Sequence, residues 1–486
     1  MRNLALRIRL FLLCSSLTLV VPVAASELKT LSIAVSLKQA ASETALLSVR
    51  RSDASNRDAK GNITKLSPTE HMRRAAIYMS NRAFAEAREH WQALINYYPQ
   101  DPRVPEALLG IGRSYFQAKD YADAYDTFDR LARNYAAIKE GREGLNFSAA
   151  SLLRLERFGE AASRYIEYID RNPNGERIDT AYLNVIDTLR EANKPKEALA
   201  WVSKTRQRFA GSATETNAIF ALLRLHIAEG NWQEAILAAE QLAKRSFSKA
   251  VQTSPMEVAY LKAFSLEQGG RKDEAFAAFL TIADAPESYY GWMATQHLDK
   301  LATGARKQIV AERETRVSTQ IAGVSDSYPA PYRPTLVRAA KARKLDPRLV
   351  LAFIRQESVF RPTAKSPAGA RGLLQLTIDA AQKYAPGAGL NSVSESQLYQ
   401  PETSIVLGTE YLETLTEMFP QLPEAVAASY NGGEDNVARW VKRAKHKDGG
   451  VFTAEIGFDE TKGYVQKVMA NYRVYRQLYT ADLMRR

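Results

Sequence analysis

Glu357 stands where a carboxyl group is pushed toward acid–base chemistry. Asp346-Pro347 predicts a helix start, with Asp346 as N-cap and Pro347 at the first helical position. Leu349, Val350, Phe353, Ile354 and Phe360 supply its apolar face, and Glu357 falls one turn beyond Phe353 and Ile354. Apolar neighbours destabilise an ionised carboxylate, raise its pKa and leave a group that donates a proton near neutral pH. The helix by itself also fits a surface glutamate paired with Arg355 or Arg361, the commoner fate of glutamate. The following residues, 364–376, argue for the first reading. They run Ala-Lys-Ser-Pro-Ala-Gly-Ala-Arg-Gly-Leu-Leu-Gln-Leu, a tight loop whose small residues let backbone approach a ligand. Within it Ser366 can hydrogen-bond a carboxylate, and Gln375 can read a hydroxyl or an amide.

Two further clusters follow in order. Ser429-Tyr430-Asn431-Gly432-Gly433 has Val437 and Trp440 downstream, and Phe458-Asp459-Glu460-Thr461-Lys462-Gly463-Tyr464-Val465 comes next. With Glu357-Ser358, Phe360, Ser366, Gly369-Ala370, Gly372-Leu373 and Gln375, they make residues 328–480 resemble the catalytic domain of lytic transglycosylases. The resemblance is to the large soluble murein transglycosylases, whose catalytic domain is similar to goose-type lysozyme and follows a helical superhelix. It implies that Glu357 protonates the glycosidic oxygen between N-acetylmuramic acid and N-acetylglucosamine in peptidoglycan, with help from the substrate acetamido group. Glu357 then takes a proton from the muramyl C6 hydroxyl, whose attack leaves a 1,6-anhydromuramyl end. One carboxylate acts twice, where ordinary glycosidases use two. The resemblance assigns Glu357 and Tyr464 to catalysis, and Ser358, Ser366, Gln375, Tyr430, Asn431 and Glu460 to substrate binding. It leaves a hydrolytic muramidase and a non-catalytic glycan-binding scaffold as the competing functions. Leu374, Thr377-Ile378-Asp379 and the acidic pair Glu434-Asp435 depart from the family pattern. The acidic pair, placed in a substrate-lining loop, is expected to weaken binding of an anionic glycan or alter the preferred stem peptide.

The elements that must position these residues read as all-α. Phe84-Ala85-Glu86-Ala87 recurs as Tyr121 to Ala124, Phe158 to Ala161, Pro195 to Ala198, Trp232 to Ala235 and Lys272 to Ala275. The aligned alanines are spaced 37, 37, 37, 37 and 40 residues apart, a period of stacked supersecondary units. Trp91, Leu94, Ile95 and Tyr98 show helical spacing inside one unit. The repeats resemble tetratricopeptide-like helix pairs, with the alanine allowing close helix approach and the preceding acid on the solvated face. They are expected to offer a surface for long glycan strands or other cell-wall enzymes, leaving the chemistry to the C-terminal domain.

The expected organisation is a signal peptide at 1–25, a flexible segment at 26–67, the repeat superhelix at 68–302, a linker at 303–332 and the catalytic domain at 333–480. Arg2, Arg7 and Arg9, the short apolar run Leu10 to Val23 and the small residues Val23-Ala24-Ala25 predict that signal. Export to the periplasm of a Gram-negative bacterium is the expected localisation. Cys14, the one cysteine, lies inside the signal, so the exported chain is expected to form no disulfide. The net charge of +12 points to an anionic polymer, membrane surface or nucleic acid without choosing among them, and the resemblance makes carboxylate-bearing peptidoglycan, not nucleic acid, the expected partner. The five histidines show no ligand spacing, so neither metal nor cofactor is expected.

Overall fold

The computed structural model describes residues 44–486, so the signal segment lies outside the described residues. The described chain is helical and carries no strand, only isolated bridges such as Lys365 with Arg371 and Arg371 with Leu376. Each recurring motif opens the second helix of a pair. These helices are Phe84–Tyr97, Tyr121–Asn134, Phe158–Arg171, Pro195–Arg208, Trp232–Ala243 and Lys272–Leu280. Ala87, Ala124, Ala161, Ala198, Ala235 and Ala275 are all fully buried, as a close helix–helix seam requires. Two residues before each motif the chain turns through positive φ, at Arg82, Lys119, Glu156, Asn193, Gly230 and Gly270. The first helices of the pairs are Pro68–Ser80, Val104–Gln117, Lys139–Arg154, Ile178–Glu191, Ala213–Ala228 and Pro255–Gln268.

Part of the segment expected to be flexible, and most of the expected linker, pack as helices. Residues 44–55 are helical and dock on the first pair, with Val49 in its core. The buried Asp53 carboxylate accepts from Tyr78 at 2.6 Å and pairs with Arg74, while His90 lies 3.0 Å away. Polar composition at 48–65 concealed this anchor, because the anchoring group is itself charged. In the expected linker, Arg306–Gly323 is an 18-residue helix that buries Val310, Arg313, Val317 and Ile321. That stripe has helical spacing, but arginine at one of its positions hid it. Arg313 is satisfied there by Thr295 Oγ1 at 2.8 Å and the Ile282 carbonyl at 2.6 Å.

One hydrophobic core runs unbroken from Ile219, in the fifth pair, through Tyr289 and Val317 to Leu483 at the C-terminus. The last two pairs and the C-terminal domain are therefore packed as one body. The packing is tight at Gly450, where a Cβ would lie 2.2 Å from the Tyr260 ring. The helix Glu434–Ala444 lies along the C-terminal ends of the first helices of successive pairs. Asp435 meets Lys119 at 3.1 Å, Lys442 meets Glu156 at 3.4 Å, Arg439 and Arg443 meet Glu191 at 2.9 and 3.1 Å, and Lys445 meets Glu229 at 2.7 Å. Basic side chains here face helix C-termini, whose dipoles favour cations. The departure Glu434-Asp435 is explained by this contact. The pair forms the first turn of its own helix and faces Lys119 of the repeats.

Candidate active site

The helix Pro347–Ser358 starts as the sequence predicts, with Asp346 Oδ1 accepting the Arg348 amide at 2.9 Å. Its face from Leu349 to Ile354 is buried in the core. It ends on Val359 and Phe360, both at positive φ, a costly conformation for a β-branched residue. Glu357 is partly buried on the last turn. The helix Asp459–Leu478 packs against it and brings the Tyr464 hydroxyl to donate to Glu357 Oε1 at 2.6 Å. Burial raises the Glu357 carboxyl to about 7, against the hydrogen bond from Tyr464, which lowers it. The arginine-paired alternative is overturned. Arg355 reaches the Ser327 carbonyl and covers the Tyr328 ring at 3.8 Å, while Arg361 Nε donates to the Ser358 carbonyl at 3.2 Å.

The small-residue loop closes on itself. Arg371 and Leu376 exchange backbone hydrogen bonds at 2.9 and 3.1 Å, and the Gly372 amide donates to the Ala364 carbonyl at 2.9 Å. Gly372 has φ +80°, and a Cβ there would sit 2.0 Å from the Leu398 carbonyl oxygen, so only glycine fits. Gln375, at φ +47°, donates from Nε2 to the Ala364 and Gly372 carbonyls at 3.1 and 2.9 Å. Its amide nitrogen shapes the loop. Ser366 Oγ accepts the Ala370 amide at 3.1 Å. Tyr430 lies between the Phe353 and Tyr411 rings, each 5.0 Å away, and donates to the Leu374 carbonyl at 2.5 Å. It ties the loop to the core beside Glu357. Trp440 is buried, edge-on to Phe458 at 5.2 Å.

Three candidates have partners other than the carboxyl or lie exposed. Ser358 is 1% exposed and donates to the Ile354 carbonyl at 3.1 Å, so it closes the helix from inside. Glu460 is exposed in the first turn of Asp459–Leu478, where its charge suits the helix N-terminus. Asn431 is exposed, and its Oδ1 accepts from Thr461 Oγ1 at 2.6 Å. Thr461 and Lys462 were missed by sequence reasoning. The available signal was a lysine in the first turn of a helix, where the dipole disfavours it. Among the described residues no acidic side chain other than Glu357 acts on this carboxyl, and no group of His, Cys, Asp or Glu is arranged to hold a metal. No described helix is long and apolar enough to cross a membrane.

Residues 335–452 match the transglycosylase SLT domain family. The C-terminal unit is a transglycosylase SLT domain. Residues 72–137, 149–213 and 220–289 match the tetratricopeptide repeat family. The chain is 31% identical over 169 residues to the soluble lytic murein transglycosylase of Escherichia coli, a match covering 33% of this chain and 25% of that protein. It is 31% identical over 163 residues to the soluble lytic murein transglycosylase of Salmonella typhimurium, covering 32% of this chain and 24% of the relative. The matches thus span about a quarter of the relatives' length. An inactive mutant of the lytic transglycosylase Slt from Pseudomonas aeruginosa aligns with a TM-score of 0.43 at 20% identity, over 84% of this chain and 86% of that one.

The contact between Glu357, inside the matched segment, and Tyr464, twelve residues beyond its end, has a measurable consequence. Tyr464→Phe removes the hydrogen bond that holds the Glu357 carboxyl down, so its titration moves upward. The alkaline limb of the pH–rate profile shifts the same way, and cleavage falls about tenfold. A profile superimposable on wild type would exclude the phenol from the chemistry.

Proposed function

We propose that the SLT domain cleaves the β-1,4 bond between N-acetylmuramic acid and N-acetylglucosamine in peptidoglycan without water, leaving 1,6-anhydromuramyl ends for wall turnover or remodelling. The observation that carries this reading is one buried carboxyl held near 7 and hydrogen-bonded by a tyrosine. Such a group is protonated in about half the molecules at neutral pH and gives its proton to the leaving oxygen as the glycosidic bond breaks. The Glu357 carboxylate then accepts the C6 hydroxyl proton while that oxygen bonds to C1, which restores the acid. The Tyr464 phenol donates to the carboxylate in the intermediate state, lowering the energy of the charge that develops there. Tyr464 shares the catalytic role. The wall of the glycan cleft is assigned to the Ser366–Gln375 loop, Tyr430 and Asn431. The resemblance of residues 328–480 to the soluble murein enzymes supports the substrate. Entry into the periplasm through the segment 1–25 belongs to the same proposal.

The test is the chemistry of the products. Purified chain digests intact sacculi, and the muropeptides are separated and weighed by mass spectrometry. Anhydro ends, lighter than reducing ends by one water, are expected. Reducing muramic acid ends would make the protein a hydrolytic muramidase, and undigested sacculi would leave it a glycan-binding scaffold.

A further inference from the structure

Lys462 occupies the first turn of the helix Asp459–Leu478, where the helix dipole works against a cation. It is nevertheless buried, and its ammonium is held wholly by the repeats. Nζ lies 3.0 and 3.3 Å from the two Glu257 oxygens, 3.0 Å from the Gln252 carbonyl and 4.9 Å from the centre of the Phe220 ring. Glu257, on the first helix of the sixth pair, is itself buried and accepts from Tyr290 at 2.8 Å and Thr253 at 2.8 Å. A buried pair of this kind contributes little stability beyond apolar packing, but it fixes a position. The position is consequential. Thr461 donates to Asn431 at the end of the helix Pro423–Gly432, and Tyr464, two residues beyond Lys462, holds Glu357. Within a turn and a half, one helix is therefore tied to Asn431, to the superhelix and to Glu357.

We propose that the superhelix completes the active site: Glu257 anchors Lys462 and through it positions the Tyr464 hydroxyl against Glu357. This rests on the reading of Glu357 as the catalytic acid. It also departs from the sequence expectation that the repeats only hold long strands, since a repeat residue sets the geometry of the bond-breaking group. The groups facing Glu357 are few. Tyr464 comes from Asp459–Leu478, Tyr430 from Pro423–Gly432, and Tyr411 stands behind Tyr430 on Pro401–Met418. On its own helix, Arg355 is turned away to Tyr328. Displacing the phenol is thus felt directly in the Glu357 titration.

The full-length chain carries the test. Glu257→Gln leaves a buried, unpaired lysine, and Lys462→Met removes the charge instead. Both are expected to lower kcat on short muropeptides about tenfold while KM stays within about twofold, because the chemistry rather than binding is disturbed. Carbon-13 NMR of the Glu357 carboxyl, assigned with Glu357→Gln, should show its midpoint raised in both. Lys462→Arg, which keeps the charge, should recover part of kcat. Asp53→Asn serves as the control, since it loosens the far end of the superhelix and should leave the Glu357 titration in place. Variants that melt lower yet keep wild-type kcat and an unmoved Glu357 midpoint would overturn the proposal. A wild-type chain that cleaves no glycan would defeat the functional reading, while the NMR midpoint would still decide the Glu257–Lys462 link.

Discussion

Glu357→Gln is expected to cut glycan cleavage at least ~100-fold while making the protein more stable at alkaline pH. Both effects come from one property. The glutamine has the same shape but neither gives nor takes the proton, so the transfer to the leaving oxygen and the return from the C6 hydroxyl both fail. The sign of the stability effect follows from the folded-state pKa. Burial lifts the Glu357 carboxyl from 4.5 to about 7, so folding favours the protonated form. The contribution is intact at acid pH, below the ordinary glutamate range. It is lost as the pH climbs toward and through 7, because the unfolded chain ionises more readily. Glutamine is neutral throughout, and its advantage over wild type grows by on the order of 2 kcal/mol from pH 5 to pH 8. Cleavage assays on sacculi and melting curves across that range check the two halves separately. Wild-type cleavage by the variant would remove Glu357 from the mechanism, and a pH-independent stability offset would contradict its buried, raised state.

Glu455→Gln should lower the melting temperature of the protein by roughly 5 °C. Glu455 is buried at the end of the helix Gly449–Glu455, where guanidinium groups from both parts of the chain converge on it. Arg190 binds it through both terminal nitrogens, Arg224 lies 3.3 Å away, and Arg443 Nε is 3.3 Å away. Burial opposes the carboxylate, but the three arginines outweigh it and hold its pKa below the usual value. The variant strands part of that positive charge in a low-dielectric site, which costs about 3–5 kcal/mol. A depressed carboxylate stabilises above its unfolded pKa and loses that effect as the pH falls through its folded value. The gap between wild type and variant should therefore narrow in acid. Differential scanning calorimetry at pH 7 and near pH 3 measures it. A variant melting within 2 °C of wild type at pH 7 would mean that the network is not stabilised by its charges.

The repeats were legible because a period of 37 residues survives any variation in surface residues, and each motif alanine proved to sit on a buried seam. The helix before Glu357 was legible from its cap and apolar face. Charged anchors were not. Asp53, Arg313, Glu257, Lys462 and Glu455 look like solvent-exposed residues in a string of letters, and each is buried with partners that lie far away along the chain. The helix at 44–55 and the length of the helix Arg306–Gly323 escaped for the same reason, since a hydropathy pattern treats a buried charged residue as a break in the core. Ser358 and Glu460 entered the substrate set by their place in motifs, and their surroundings differ. Backbone geometry turned one into the helix and the other out to solvent.

By itself, the sequence determined that this chain is an α-helical repeat array followed by a domain with one glutamate poised for proton transfer. These are properties of local spacing, caps and periodicity, which act over a few turns. Tertiary structure alone decided that the glutamate is held near neutral pKa by burial and gripped by Tyr464, 107 residues away. It also decided that the helix carrying that tyrosine is moored to the superhelix through Lys462 and Glu257. Desolvation and ion pairing depend on what surrounds a group in space, and no spacing along the chain encodes them.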